Sequence, residues 1–360
     1  MPGALARAQQ PRPEVVASGL QHPWGMAFVD GGVLVTERAG RLRWVSPTGQ
    51  VGAPIAGLPA IDVGGQGGLL DVVADSGFAT NRRIYLCYAE PSADGGRNAT
   101  ALASARLSED GRRLEQWQRL FGQQPQVASR LHFGCRIVES PDGQLFLTLG
   151  ERYHRMADAQ TLDNHLGKVV RLRKDGGAAP GNPLLGRPGA LPEIWSWGHR
   201  NPQGAAWGPD QRLWITEHGP QGGDEINRPD AGLNHGWPLV TYGENYGGGA
   251  INGGLRSQPG LVQPLHHWTP SIAPSGMSFL RSQRYGSAWQ GQLFVGSLKF
   301  RYLARLELDL TGPQPRVLRE HKLLPDLGQR VRDVREGPDG LLYLLTDERN
   351  GQLIRLLPPS

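Results

Sequence analysis

Long apolar runs are missing from this chain of 360 residues. Nothing in it approaches the ~18 consecutive apolar residues of a membrane-crossing helix, so no membrane insertion is expected. Stretches with the i, i+3, i+4, i+7 apolar spacing of an amphipathic helix are also absent, which argues against a helical fold. Lysine is scarce, at positions 168, 174, 299 and 322 only, so the formal charge of +5 rests on arginine. The arginines are scattered rather than gathered in a run, which excludes a nucleic-acid footprint and leaves a basic pocket for a small anion open. There are two cysteines, Cys87 and Cys135, without C-x-x-C or metal-ligand spacing. Both lie in apolar, strand-like stretches, where buried free thiols are the expectation and one disulfide is the alternative. The H-E-x-x-H, P-loop, G-x-S-x-G and C-x-x-C-H motifs are absent, which removes the corresponding hydrolase, nucleotide and haem readings.

What the chain has in quantity is turn residues, with 51 Gly and 29 Pro. One pattern recurs: an apolar strand, a turn of Pro, Asp and Gly, then a second strand with period-2 alternation. Copies run through 26–45, 71–90, 136–152, 205–219, 277–308 and 333–356. Ser140-Pro141-Asp142-Gly143 and Gly337-Pro338-Asp339-Gly340 are the clearest reversals, with Pro presetting φ and Gly accepting a positive one. Six such units predict an all-β, six-bladed β-propeller with four antiparallel strands per blade, an architecture that leaves only short, protected sheet edges. A β-sandwich or a pair of β-domains is the competing architecture. The propeller is expected over 14–357. Residues 1–13 read as a disordered tail or the remnant of an export signal, since Ala6-Arg7-Ala8 has the small-x-small form of a cleavage site without an apolar stretch before it. Insertions rich in Gly, Asn and Pro at 152–186 and 227–260 are expected to build a site on one face.

Several constellations carry chemical potential. Gly198-His199-Arg200-Asn201 and Glu217-His218-Gly219-Pro220, followed by Asp224-Glu225, each close an aromatic strand. The carbonyls of Gly219 and Pro220 beside the Asp224 carboxylate are hard oxygen donors that suit calcium, against the simpler reading of a Gly-Pro turn with a solvated acidic edge. His132 stands alone before the third repeat, where it is either a structural residue or a general base facing a cavity. The glycine run at 64–68 fails the phosphate-cradle spacing and reads as a turn presenting Gln66. Lys299 and the pair Arg330 and Arg332 open two late repeats. Being two apart, the arginines share a strand face and suit an anion, with solvated charge as the alternative. Trp268 is either a stacking surface for a planar ligand or a core residue. Asn98-Ala99-Thr100 matches a glycosylation acceptor, a weak three-residue pattern.

Taken in order, His22-Pro-Trp-Gly-Met26, Gly65-Gln-Gly-Gly-Leu-Leu70, His132-Phe-Gly-Cys-Arg136, Gly198-His-Arg-Asn-Pro-Gln-Gly204, Glu217-His-Gly-Pro-Gln-Gly-Gly-Asp-Glu225 and Arg330-Val-Arg-Asp-Val334 resemble the soluble aldose sugar dehydrogenases of the glucose/sorbosone dehydrogenase family. The resemblance runs from about residue 16 to 356. It implies a quinoprotein propeller that oxidises the C1 hydroxyl of aldoses to lactones with pyrroloquinoline quinone (PQQ) and Ca2+. His132 aligns with the catalytic base and Arg200 with the group that polarises the quinone C5 oxygen. Gln66, Asn201, Lys299, Arg330 and Arg332 align with cofactor-binding positions, and Trp268 is the candidate stacking residue beside them. Gly219 and Pro220 would hold calcium, with Asp224 reaching it through water. The resemblance further implies an aldose substrate, an unidentified external electron acceptor, a monomer or homodimer, and a periplasmic or secreted location. Two positions depart from the family pattern: Cys135 replaces a glycine, and Leu131 replaces an aspartate beside the base, leaving the partner that orients His132 unassigned. A calcium-dependent sugar lactonase and a non-enzymatic binding propeller are the competing functions.

Overall fold

The computed structural model describes residues 10–312 and 314–359. It contains six antiparallel sheets. Their inner strands are Pro23–Val29, Leu69–Ala74, Ile137–Glu139, Pro202–Trp207, Pro274–Phe279 and Val331–Glu336. Each inner strand packs against the next, and the last returns to the first, closing a six-bladed propeller around an axis. Five blades have four strands, while the blade built on Pro23–Val29 has three.

The reversals at 140–143 and 337–340 form as the sequence requires: the Gly143 and Gly340 amides close them, donating to Ser140 (2.8 Å) and Gly337 (2.9 Å), with φ of 75° and 74°. Both lie at the mouth opposite the site residues, which sit where strands enter from the preceding blade and where second strands turn back. At that opposite mouth the inner strands of all six blades line a bowl of ≈ 1000 Å³.

Ring closure uses the chain's two ends. Arg12–Leu20 pairs antiparallel with Gly351–Leu357, so an N-terminal strand completes the C-terminal blade. This strand starts two residues before the expected domain boundary, Gln10 ahead of it accepts the Leu324 amide at 2.8 Å, and residues 1–9 of the expected tail lie outside the described residues. The insertion expected at 152–186 is corrected to two loops, because the strand Lys168–Leu172 runs through it. That at 227–260 begins where Asp224–Asn227 ends and holds no strand before His266–Trp268. Among the described residues no helix is long and apolar enough to cross a membrane.

Between the two mouths the axis is closed by charge. Arg136 lies 3.3 Å from Asp71 and 3.0 Å from Asp333, and Arg335 reaches the same aspartates at 2.8 and 3.1 Å. Arg136 also donates to the carbonyls of Gln203 (2.7 Å) and Arg332 (3.1 Å) and stacks over Trp24 at 4.0 Å. One buried side chain thus ties together inner strands from several blades.

The expectation of free thiols is overturned: Cys87 and Cys135 form a disulfide, with Cα atoms 5.7 Å apart. Cys87 lies in the second strand of one blade and Cys135 just before the inner strand of the next, a proximity created only by blade packing. The Asn98 sequon is buried in a strand, its amide donating to Asp62 at 2.7 Å, which removes it as an acceptor for a glycan.

Two stability outcomes follow from these contacts. Replacing both cysteines with alanine should lower unfolding free energy by about 2–4 kcal/mol, through the 48-residue separation that the link constrains. Arg136→Met should cost about 3–5 kcal/mol by leaving Asp71 and Asp333 undercompensated. Denaturant titration measures both, and an unchanged midpoint for either variant contradicts the corresponding assignment.

Candidate active site

His132 sits on the approach to the third blade's inner strand, only 5% exposed and with φ of 52°. A left-handed residue with a side chain is strained and persists only where its surroundings hold it. Three contacts hold it here. Its amide donates to the Gln66 side chain at 2.8 Å, and its Nδ1 meets Glu151 at 2.7 Å. Its carbonyl lies so close to Gly150 that a Cβ there would approach to 2.0 Å, which explains the glycine. Gln66 is itself presented by the tight turn from Gly64 to Gly67, as the glycine run suggested.

Glu151 is the orienting partner that the sequence left unassigned. With Nδ1–H donated to this carboxylate, Nε2 carries the lone pair, and it has no hydrogen-bond partner among the described residues. Burial lowers the imidazole's proton affinity below the ordinary histidine value, and Glu151 opposes that effect. The net result is a neutral imidazole oriented by a buried carboxylate, the arrangement a general base needs.

A web of polar side chains runs on from the histidine. The Asn201 carbonyl oxygen accepts from the Gly134 amide and from Gln203, both at 3.2 Å. Gln203 accepts from Arg332 at 3.1 Å, and Arg332 donates to Asp347 at 2.7 Å. Arg330 lies 3.6 Å from Asp347 and donates to the Leu298 carbonyl at 3.4 Å, next to the exposed Lys299. Asp347 also meets His22 at 2.8 Å. It too went unnoticed in the sequence, although Thr36-Glu37, Thr216-Glu217 and Thr346-Asp347 repeat an acid at the close of a second strand, and Glu151 closes another after Gly150.

Arg200 is buried, with Nη1 donating to the carbonyls of His218 (3.1 Å) and Gly219 (2.6 Å). Its backbone amide is fixed by Glu217 at 2.7 Å, and Glu217 also accepts from His199 at 3.0 Å. His218 donates to the Pro274 carbonyl at 2.7 Å, and burial drives its pKa down to about 3, so it is neutral.

The Gly219–Pro220 turn is organised by Asp224. One carboxylate oxygen accepts the Gly219 amide at 2.9 Å; the other accepts Ser271 (2.7 Å), Ile272 (2.8 Å) and Ala273 (3.0 Å). Both oxygens are thus engaged by the protein. The Ile272 carbonyl in turn accepts the Lys299 amide at 3.1 Å.

The hydrogen bonds from Gln66 to Lys299 therefore bring the sequence-derived residues together on one mouth of the propeller, with one exception. The Trp268 ring packs in the core with Ile226, Ile272 and Tyr302, and its indole donates to Glu320 at 2.9 Å. The stacking role expected for Trp268 is corrected to a core role, because its ring is packed within the apolar cluster between blades and its indole N–H is held by Glu320.

The histidine's electrostatics yield a direct measurement. Titration followed by NMR should give His132 a pKa below about 6.5. Glu151→Gln should lower it further, since the lost carboxylate favours the charged imidazolium. A value above the ordinary one, or a rise in the variant, contradicts this arrangement.

Comparison with known proteins gives the family and the fold. The family model described as Glucose / Sorbosone dehydrogenase matches residues 20–355. The aldose sugar dehydrogenase YliI of Escherichia coli is 44% identical over 352 residues, covering 96% of this chain and 92% of that protein. The crystal structure of the soluble aldose sugar dehydrogenase from Escherichia coli, in its apo-form, superposes with a TM-score of 0.91 at 42% identity, covering 97% of this chain and 99% of that one. The PQQ-bound aldose sugar dehydrogenase from Streptomyces coelicolor has a TM-score of 0.76 at 27% identity, covering 97% and 99%. With the family model matched over residues 20–355 and 44% identity to a relative across 96% of its length, this chain belongs to the glucose/sorbosone dehydrogenase family.

Proposed function

We propose that this protein oxidises the C1 hydroxyl of aldose sugars to the lactone, with PQQ and calcium held at the mouth carrying His132. The single observation that carries the reading is the His132 imidazole: neutral, fixed through Nδ1 by Glu151, and with Nε2 left for a substrate proton.

The residues present fit the cofactor. Arg200 and Arg332 each keep a buried Nε donor without a protein acceptor. Arg330 and Lys299 add cationic groups on the same mouth, so a planar ligand with several carboxylates would meet charge-assisted donors. Gln66, Asn201, Lys299, Arg330 and Arg332 would hold it. Calcium would take the carbonyl oxygens of Gly219 and Pro220. These fall short of the about 6–8 oxygens the ion prefers, and water and cofactor oxygens would complete the set. Asp224 would act on the ion through the turn it holds and through water. When bound, PQQ supplies the hydride acceptor and calcium a Lewis acid.

The protein's own groups do the rest. His132 takes the hydroxyl proton on Nε2, and Glu151 stabilises the imidazolium that results. Arg200, held by Glu217 and the His218 carbonyl, supplies positive charge where negative charge develops on oxygen. Reoxidation of the bound cofactor would require an external electron acceptor. A periplasmic or secreted location is supported by the Cys87–Cys135 disulfide, because such links persist in oxidising compartments.

The test adds PQQ and calcium to purified protein and follows aldose-dependent reduction of an artificial electron acceptor. Activity that requires both additions supports the reading. Hydrolysis of a lactone with calcium alone and no quinone-dependent oxidation would replace it with the lactonase, and neither activity would leave a binding propeller. In the active protein His132→Ala should lower turnover by about 10²-fold or more with quinone still bound. Arg330→Ala should weaken quinone retention instead, read from the absorbance that co-elutes with protein. Equal, modest losses with quinone fully bound in both variants contradict this division of roles.

A further inference from the structure

A sugar oxidised at this mouth needs a surface that holds its ring. The aromatic residue that the sequence offered for stacking, Trp268, is buried in the core. Another aromatic is placed for the task. Tyr246 is the most exposed of the large apolar side chains among the described residues, at 61%. Its hydroxyl nevertheless lies 3.4 Å from Nη2 of Arg200, with the guanidinium carbon 5.9 Å from the ring centroid. An exposed ring whose hydroxyl is tied to a buried arginine of the mouth presents an apolar face with a polar edge to whatever enters there.

The loop that carries Tyr246 is built onto the site. Gln221 and Glu244 exchange backbone hydrogen bonds of 2.9 and 3.1 Å, and the Gly247 amide donates to the Gln221 side chain at 3.2 Å. Gly243 packs so closely on the Gly219–Pro220 turn that an added Cβ would come within 2.3 Å of the Gly222 carbonyl and 2.8 Å of the Pro220 ring. Backbone-on-backbone contact fixes the loop relative to Arg200. Across the mouth, the half-buried Tyr153 ring stands edge-on to His132 at 5.3 Å.

We propose that Tyr246 is the sugar-stacking platform of this site, a specificity-determining residue that receives the C–H face of an aldose ring while His132 addresses its hydroxyl. The proposal rests on the dehydrogenase reading and names the group that grips the substrate. The ring's π face is electron-rich, and the C–H groups on one face of a pyranose are slightly positive, so the two surfaces attract and exclude water together. An amphipathic ring with a hydroxyl already near Arg200 leaves the sugar's own hydroxyls to solvent and to the polar groups of the mouth.

The test uses quinone- and calcium-loaded protein in four forms: wild type, Tyr246→Ala, Tyr246→Phe and Tyr246→Trp. Calorimetry measures binding of a 1,5-anhydroalditol, a sugar lacking the C1 hydroxyl and so inert to oxidation. Tyr246→Ala should weaken that binding about tenfold and raise KM for aldoses similarly. Turnover number should stay within about twofold, and quinone affinity should not change, as expected for uniform binding energy. The Phe and Trp variants, which keep a ring, should stay within about threefold of wild type. Equal analogue affinity in wild type and Tyr246→Ala, no analogue binding to wild type, or loss of quinone in place of sugar affinity would each overturn the platform. Protein that binds the analogue in a Tyr246-dependent way yet oxidises no aldose would refute the dehydrogenase reading and leave the platform standing.

Discussion

The ion-pair cluster of Arg136, Arg335, Asp71 and Asp333 at the propeller axis is the contact on which the rest of the structure depends. Inner strands converging on an axis bring backbone and side-chain polar groups together where water is scarce, and each must find a partner. Arg136 supplies partners to two aspartates and two carbonyls from the blades on either side and from the one across the axis. Such a cluster adds little net stability over a well-packed apolar plug, because desolvation offsets the Coulomb gain. Its directional bonds do set which strand lies beside which, and at what height. Arg332 and Gln203, whose carbonyls Arg136 holds, are the residues whose side chains meet at the mouth, at 3.1 Å. The geometry of the site is thus inherited from the plug beneath it.

The same division of labour recurs around the mouth. Acids that close the second strands do not face solvent: Glu37, Glu151, Glu217 and Asp347 are all buried. Each immobilises a cation, a histidine or a backbone amide, as Glu217 does for Arg200 and Asp347 for Arg332. A positively charged pocket assembled without such carboxylates would repel itself apart. With them, the guanidinium groups are held near one another, and the donors they leave unpaired are the ones available to a ligand.

Much of this was legible in the sequence, and what was not has physical causes. Repeats and Pro-Asp-Gly reversals disclose a propeller because turn chemistry and period-2 alternation are local. Glu151 and Asp347 were illegible because an acid after a strand looks like a solvated turn, and only the closed ring buries it. The disulfide was illegible for the same reason: Cys87 and Cys135 belong to different blades, and nothing local announces that packing brings their Cα atoms to 5.7 Å. Trp268 was misjudged because an aromatic residue at a strand end serves equally as core or as platform. Burial decides, and burial is a property of the assembled sheet. In Tyr246 the converse holds, since a glycine-rich insertion gives no sign that its ring is anchored beside Arg200.

The cysteine three residues after His132 also acquires a reason. Within four residues the backbone is left-handed three times, at His132 (52°), Gly134 (65°) and Cys135 (80°). Glycine adopts this conformation freely, whereas a side chain at 135 costs strain of about 1–3 kcal/mol. That strain is held from two directions: the Cys135 amide donates to the Thr148 carbonyl at 2.7 Å, and its sulfur is tied to the neighbouring blade. Position 135 thus carries a residue that is fastened in the turn rather than one that favours it. Because His132 enters the same turn three residues earlier, the covalent tie across the blade boundary also restrains the imidazole, and the precision of the site comes from constraint as much as from local preference.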